Sequence, residues 1–364
     1  MDLVWAAEQF GDKTVITIGG FLIGLLFGFF AQRSRFCLRA ATIELWRGQF
    51  GPKTTIWLIV FGTALFGTQL LFVLDQLEEV NIRQLTQTGT LSGAIIGGLM
   101  FGIGMILARG CASRLLVLSA TGNLRALLTG LILTVVAQAS LRGVLAPVRE
   151  DISSLWLVGA GTRNMMGQLP DFAGLAIYAG LAMGAGIIVV ALLFWQHNRM
   201  SFAYLLTALG VGATIVLGWW FTAVLSEQSF DVITVQSVSF TGPSTDTLMA
   251  LINQPQLPLS FGIGLVPGVF IGSLAAALLA GEFEVQSFSE EASLPGYIAG
   301  AALMGFGSML AGGCAVGAGV SGGAVLAMTS WIALLAMWIG AGLADFAINR
   351  KAGGSILRYS AANT

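Results

Sequence analysis

Nine apolar runs, each long enough to cross a bilayer, dominate this chain of 364 residues. A membrane-spanning helix needs about 20 mainly apolar residues, because the hydrocarbon core is about 30 Å thick and a helix rises about 1.5 Å per residue. Inside lipid every backbone polar group needs a partner within a helix or a closed barrel, so such runs leave few possible folds. The runs lie near residues 15–32, 55–75, 91–107, 124–141, 172–195, 203–225, 259–281, 294–312 and 325–348.

The composition favours helices over strands in these runs. Only 10% of the residues are charged, whereas a soluble chain carries roughly 25%. A strand barrel would show short alternating segments instead of continuous apolar ones. The 49 glycines indicate close helix packing and interrupted helices. We therefore predict an all-α polytopic membrane protein. The net charge of −1 and the absence of a basic tract give no indication of nucleic-acid binding.

The distribution of basic residues predicts the orientation. The connections 33–53 and 109–125 are rich in arginine, whereas 226–258 and 313–324 contain neither lysine nor arginine. Basic loops face the cytoplasm, so the N-terminus is expected outside the cell membrane and the C-terminus in the cytoplasm. Two connections fit this rule less well: 142–171 is basic on the outer side, and 282–291 is acidic on the inner side.

A repeated segment carries two of the three cysteines. LSGAIIGGLMFGIGMILARGCA (91–112) aligns without gaps on LPGYIAGAALMGFGSMLAGGCA (294–315), with eleven of the twenty-two positions identical. A fainter copy ends in SRFC (34–37). All three cysteines thus follow a glycine-rich run at the same spacing. Buried packing is the usual role of a lone cysteine, but three equivalent placements favour a shared function.

The predicted orientation makes the two clearer copies run in opposite directions. Inverted repeats are typical of transporters, whose site lies between the halves near the middle of the membrane. We predict one transporter domain, 1–364, with inverted repeats at about 15–141 and 203–348 joined by 142–202. Short segments after the cysteines and one further segment are candidate re-entrant helices, because each is too short to span a bilayer. They are LRAATIELW (38–46), ASRLLVLSATGN (112–123), AVGAGVSGGA (315–324) and SFTGPSTDTLMALI (239–252).

Thiols at the starts of such helices suit a soft anion. Helix N-termini favour negative charge, and a neutral thiol is a weak S–H donor with a polarizable sulfur. A terminal sulfur, as in thiosulfate, can accept from it. We name Cys37, Cys111 and Cys314 as substrate-path residues. The residues added as candidates for the path or its mouth are Arg35, Arg109, Gly110, Gly313 and Thr241. We expect no catalytic residue, no metal site and no cofactor.

The motifs SRFC (34–37), ARGC (108–111) and GGCAVG (312–317), on nine spans with short re-entrant helices, resemble the YeeE/YedE family of bacterial inner-membrane sulfur-compound transporters. The resemblance implies an hourglass-like protein that takes up thiosulfate. It also implies that the three cysteines hand the ion inward through S–H···S hydrogen bonds. A small cytoplasmic TusA-like sulfur carrier is the implied partner. Some members are associated with selenium metabolism, so a selenium compound or another sulfur species is an alternative substrate.

Two other classes of function remain alternatives at this stage. An intramembrane thiol or sulfur-transfer enzyme would need an activated cysteine and a resolving partner, yet the chain has no C-x-x-C and no histidine near the motifs. A scaffold for a sulfur carrier would use the basic connections 33–53 and 109–125 for docking. We predict a transporter and not an enzyme.

Overall fold

A computed structural model describes residues 4–159, 163–165, 176–229, 231–253, 258–286 and 294–351. Helices account for nearly all of its regular structure. The long helices are α2 (Asp12–Ser34), α4 (Pro52–Val73), α6 (Leu91–Leu107), α8 (Leu124–Arg142), α10 (Ala176–His197), α11 (Phe202–Gln228), α13 (Phe261–Ala280), α14 (Leu294–Leu310) and α16 (Met328–Lys351). Within the described residues, eight helical stretches could cross a membrane by length and composition, or nine if a bent pair counts as one span.

This result confirms an all-α, multi-pass membrane protein. Each predicted run coincides with one long helix, and α6 has the predicted bounds. Residues 172–175 of the fifth run lie outside the described part of the chain. The last helix begins later than predicted, because residues 325–327 form a turn in which Leu326 is left-handed with φ 57°.

Short elements connect the long helices. They are α1 (Val4–Phe10), α3 (Leu38–Trp46), a 3₁₀ turn (Glu79–Asn81), α5 (Arg83–Thr86), α7 (Ala112–Ala120), α9 (Ala146–Ser154), α12 (Thr241–Asn253), a π-helix (Ala315–Ser321) and α15 (Gly322–Ala324). Two short antiparallel strands, β1 (Gly89–Thr90) and β2 (Leu157–Val158), pair next to the start of α6. The sequence analysis did not anticipate α1, α5, α9 or the strand pair.

Glycine ridges set the close approach of α2 and α13. A Cβ at Gly20 or Gly24 would meet the carbonyl oxygens of Phe261 and Leu265, and one at Gly264 would meet that of Thr17. Both helices carry glycine at every fourth position, so the two ridges face each other. Small residues at this spacing let helix backbones touch in a membrane, where packing drives association. The predicted role of the glycines in close packing is therefore confirmed here.

Helices α6 and α14 meet reciprocally. A Cβ at Gly97 would meet the carbonyl oxygen of Gly307, and one at Gly307 would meet that of Gly97. Gly104 and Gly300 make the same mutual approach. One residue number rises as the other falls, so the helices are antiparallel. Two helices that are related by a local two-fold axis make mutual contacts of this kind.

Other helix contacts come in matching pairs across the two predicted repeats. The packing of α2 on α13 is matched by α11 on α4, and that of α6 on α16 by α14 on α8. Similarly, α7 packs on α8 as the π-helix packs on α16, and α3 packs on α4 as α12 packs on α13. Helix α10, which packs on α4, has no such counterpart among these pairs. Such pairing is what an inverted repeat would produce, and the repeat with its boundaries stays a prediction.

The long helices alternate in direction between two ends of the bundle. At the Arg35 end, Arg35 after α2 contacts Glu282 after α13, and Asn123 before α8 bonds Gln286. At the opposite Asp12 end, Asp12 accepts a hydrogen bond from Ser229 after α11. The basic connections 33–53 and 109–125 both belong to the Arg35 end. Which end faces the cytoplasm stays a prediction.

Candidate functional site

The backbone takes the same form before each cysteine. Arg35 and Arg109 have φ 55°, and Gly312 has φ 79°; each stands two positions before a cysteine. The next amide closes the helix end: Phe36 N donates to Ala31 O at 3.2 Å, Gly110 N to Met105 O at 3.1 Å, and Gly313 N to Ser308 O at 2.8 Å. This left-handed helix ending is common, usually with glycine in the left-handed position. The three helices therefore end alike, each two residues before its cysteine.

Two of the proposed glycines have local packing reasons. A Cβ at Gly313 would come within 2.8 Å of the backbone nitrogen of Ala318, too close for a side chain. A Cβ at Gly110 would lie 3.2 Å from Leu115 Cδ2, a tighter fit than usual. Both glycines bring the following cysteine close to the start of a short helix. Their part in a substrate path stays a prediction.

Each cysteine is the residue that precedes a short helix. Cys37 precedes α3, Cys111 precedes α7, and Cys314 precedes the π-helix. The helical stretches Asp12–Trp46 and Leu91–Ala120, of 35 and 30 residues, each contain an apolar window long enough to span a membrane and a break just before the cysteine. Leu294–Leu310 meets Ala315–Ala324 at a bend of 40°. The helices are thus interrupted at the cysteines. Re-entry of the short helices into the bilayer stays a prediction.

Helix α7 leads from Cys111 toward the Arg35 end. Directly after α7, the carbonyl of Thr121 accepts a hydrogen bond from Glu284 N at 3.2 Å, in the segment that follows α13. The C-terminus of α7 therefore lies at the bundle end, and its N-terminus points inward. Unpaired N–H groups at such a start favour a negative charge.

Side chains of α3 anchor it to its neighbours. Trp46 Nε1 donates to the carbonyl of Trp338 at 3.0 Å. The Glu44 carboxylate accepts from Thr54 N at 2.9 Å and from Lys53 N at 3.3 Å, at the start of α4. Glu44 is the one acidic residue in the cysteine segments, and it caps a helix. It therefore holds the start of α4 in place beside α3.

The structure brings two of the three thiols together. Those of Cys37 and Cys111 lie near enough to interact with each other electrostatically. Cys111 Sγ also lies 3.3 Å from Ser113 Oγ. Cys111 is 1% exposed, whereas Cys37 is half-buried. Among these two, Cys37 is therefore the thiol nearer to solvent.

Cys314 lies on an adjacent segment. It is 1% exposed, and its sulfur accepts a hydrogen bond from Gly317 N at 3.4 Å. The π-helix that it starts contacts α7. Ser321 Oγ of the same helix donates to the carbonyl of Val238, just before α12, at 2.7 Å. The start of the π-helix thus lies among segments that lead into α7 and α12.

Thr241 begins α12 and lines a cavity of about 180 Å³ between α7, α8, α12 and α13. Ala112, the residue after Cys111, lines the same cavity. Thr241 is fully buried, and its Oγ1 has no hydrogen-bond partner within the described part of the chain. The position before it, where the other segments have cysteine, holds Phe240, whose ring centroid lies 5.1 Å from that of Phe27.

Arg114 is a site residue that the sequence analysis missed. Its guanidinium interacts electrostatically with both Cys37 and Cys111, and Arg114 Nη1 donates to Gln32 Oε1 at 3.3 Å. Gln32 Nε2 in turn donates to Glu282 Oε2 at 2.9 Å. One signal was available: Arg114 follows Cys111 by three positions, and residues three apart lie on the same face of a helix.

The two arginines named from the sequence lie at the surface of the Arg35 end. Arg35 Nη2 is 3.4 Å from Glu282 Oε1, with both side chains about 40% exposed. The Arg109 guanidinium carbon lies 5.9 Å from the ring centroid of Tyr297. Both are close to the cysteine segments, as expected, but Arg114 is the cation next to the two thiols. The described residues contain no group of three histidine, cysteine, aspartate or glutamate side chains placed to hold a metal ion.

Comparison with known proteins identifies the family. The family described as "Sulphur transport" matches residues 33–343, well over half of the chain. The chain belongs to this sulphur transport family. It is 27% identical over 356 residues to the thiosulfate transporter TsuA of Escherichia coli K12, covering 91% of this chain and 94% of that protein. It is 28% identical over 337 residues to the thiosulfate transporter TsuA of Spirochaeta thermophila, covering 88% of this chain and 96% of that protein.

Family membership confirms the predicted class of protein. The chain is a multi-pass membrane transporter for a sulfur compound, with a small anion as substrate, and it is not an enzyme. The resemblance to the YeeE/YedE transporters drawn from the three cysteine motifs is thereby confirmed.

Proposed function

We propose that this protein takes up thiosulfate across a bacterial inner membrane, with the Asp12 end in the periplasm and the Arg35 end in the cytoplasm. The N-terminus is then periplasmic and the C-terminus cytoplasmic. The ion passes along Cys314, Cys111 and Cys37. At each station a neutral thiol donates an S–H···S hydrogen bond to the terminal sulfur of the ion. The names of the two similar transporters support this substrate.

One observation carries the proposal: three cysteines precede short helices after helix endings of the same form, and two of their thiols interact with each other. A shared backbone form is not needed for packing alone. Two adjacent thiols offer successive weak donors to one sulfur atom. Because an ion must leave each station as well as reach it, weak contacts suit passage better than a tight site.

Charge at the Arg35 end supports inward release. Arg114 lies next to the inner two thiols, and Arg35 and Arg109 extend the positive field to the bundle end. A positive mouth concentrates a dianion by long-range attraction. Two carboxylates near this mouth are already paired with other side chains: Glu282 contacts Arg35 and Gln32, and Asp345 contacts Arg47.

The finer architecture belongs to the same proposal. The two halves are inverted repeats, 15–141 and 203–348, and the four short helices enter the bilayer from opposite faces to give an hourglass-like protein. Gly110, Gly313 and Thr241 border the path. A TusA-like sulfur carrier docks at the Arg35 end, where exposed basic side chains face the solvent. They include Arg109 and Arg199.

Uptake of labelled thiosulfate into proteoliposomes tests the proposal. Cys37→Ala, Cys111→Ala and Cys314→Ala should each lower the rate by at least about tenfold, which corresponds to about 1.4 kcal/mol of lost stabilisation. Cys→Ser should be damaging as well, because oxygen is a harder partner for sulfur. Uptake of labelled sulfite, sulfate and selenium oxyanions, measured in parallel, distinguishes thiosulfate from the alternative substrates.

Ser140→Ala is the matched control. Ser140 is buried in α8, and its Oγ donates to the carbonyl of Val136 within the same helix, so uptake by this variant should equal that of the wild type. Thermal melting of each purified variant separates misfolding from lost transport. Wild-type uptake in all three cysteine variants would refute the cysteine path, and uptake of a labelled selenium oxyanion without uptake of thiosulfate would change the substrate.

A further inference from the structure

Tyr297, in the first turn of α14, has a buried hydroxyl with no hydrogen-bond partner among the described residues. The side chain is only 5% exposed. An unsatisfied buried hydroxyl costs about 1–3 kcal/mol. Such a group calls for a partner outside the described side chains and backbone.

Two cations converge on the ring of the same tyrosine. The guanidinium carbons of Arg109 and Arg125 lie 5.9 Å and 5.3 Å from its ring centroid. Each contact is worth about 0.5–2 kcal/mol, but the two like charges repel each other. No carboxylate pairs with either arginine within the described part of the chain. The pair of charges therefore lacks a described anion to balance it.

Arg39 adds a third cation and connects the group to the cysteines. Its guanidinium interacts electrostatically with Arg109, Tyr297 and Cys37, and also with the carboxylate of Asp345, which pairs with Arg47. Arg39 Nε is buried and has no hydrogen-bond partner among the described residues. Arg39 follows Cys37 by two positions, so the group lies next to the half-buried thiol. Arg109 is exposed, so the group is also open to solvent at the Arg35 end.

We propose that Arg39, Arg109, Arg125 and Tyr297 form an oxyanion station for a tetrahedral dianion. All four side chains offer hydrogen-bond donors, which suits the oxygens of an anion and excludes a cation. Resting on the proposed function, the station binds the oxygen end of the substrate while Cys37 contacts its terminal sulfur. It therefore recognises the class of anion, whereas the thiols recognise the sulfur.

The station should consequently accept sulfate, which carries the oxygens without the terminal sulfur. Sulfate should compete with thiosulfate at this position without being passed along the thiols. This outcome distinguishes the oxyanion station from the cysteine path, because each acts on a different part of the substrate.

Labelled thiosulfate uptake in proteoliposomes, with sulfate as competitor, tests the station. Arg125→Gln should raise KM for thiosulfate about tenfold and weaken inhibition by sulfate by a similar factor. Tyr297→Phe keeps the ring that both arginines stack on and removes only the hydroxyl. It should raise KM by about threefold, and because it removes an unpaired buried group, it should not lower the melting temperature.

Arg33→Gln is the matched control. Arg33 is an exposed cation in the last turn of α2, at the Arg35 end of the bundle, and it lies outside the station. This variant should leave KM and the sulfate inhibition constant unchanged.

If Arg125→Gln and Tyr297→Phe behave as the wild type while the cysteine variants are inactive, the station is refuted and the proposed function stands. If the wild type takes up no thiosulfate, the proposed function fails. Calorimetric binding of sulfate by wild type, but not by Arg125→Gln, would still support the station, and equal binding would refute it.

Discussion

The side chains around Cys37 and Cys111 illustrate how a cation can serve a sulfur site without bonding to the sulfur. Arg114 is held by Gln32 Oε1 at 3.3 Å, while its charge acts on both thiols. Gln32 is itself fixed by Glu282. A dianion near the thiols can draw on this positive charge, and a hydrogen bond to a charged group is worth about 1.5–3 kcal/mol.

We therefore predict that Arg114→Gln raises KM for thiosulfate by about 10–100-fold. Glutamine removes the charge but keeps a donor that can still reach Gln32. Initial uptake rates over a range of thiosulfate concentrations measure the effect. Arg114→Lys should recover part of the loss, since it restores the charge without the planar fork. If Arg114→Gln keeps the wild-type KM, Arg114 serves only to hold α7 against α2.

Helix contacts depend on glycine at positions that hydropathy alone does not distinguish. The ridge of Gly20, Gly24 and Gly28 in α2 faces carbonyl oxygens of α13, whereas Gly186 in α10 has open space around it. Both sites lie in apolar helices and are equivalent in composition. Only the packing partner determines which glycine is required.

Gly24→Ala should destabilise the protein by about 1–3 kcal/mol, the usual cost of overpacking a close contact. The added methyl would meet the carbonyl of Leu265, so α2 and α13 must separate. Thermal melting of the purified protein in detergent measures the change. Gly186→Ala should melt at or slightly above the wild-type temperature, because alanine favours a helix over glycine. Equal melting of the two variants would contradict the proposed importance of the ridge.

At the scale of the whole molecule, the alternating helices place the basic connections 33–53 and 109–125 at one end. The segment 226–258, without lysine or arginine, follows α11 at the other end. Because positive loops are retained in the cytoplasm, this separation of charge predicts the orientation of the entire bundle.

Cysteine labelling in whole cells tests that orientation. In a Cys37→Ser/Cys111→Ser/Cys314→Ser background, Val232→Cys should react with a membrane-impermeant maleimide in intact cells, since Val232 is fully exposed at the Asp12 end. Gln49→Cys, exposed at the Arg35 end, should react only after permeabilisation. The reverse labelling pattern would invert the proposed direction of the path.

The order of the spans could be read from sequence because apolar length and loop charge are local quantities. The helix interruption before each of the three cysteines could also be read from sequence, since a repeated motif folds into a repeated helix ending. We expected a re-entrant segment after each cysteine. The length and apolar character of these short stretches do not by themselves determine the path of the chain there. The connection 142–171 carried no strong local pattern, and α9 and β2 in it were not foreseen.

By itself, the sequence determined the helical class, the approximate spans, the repeated cysteines and the family. Only the tertiary structure decided that Cys37 and Cys111 interact, that the charge of Arg114 acts on both, and that Glu44 caps α4. It also decided that Arg109 and Arg125 share Tyr297. The physical reason is that hydropathy and motif spacing act along the chain. Contacts between distant segments depend instead on how closely glycine ridges let the helices approach, and where each helix ends.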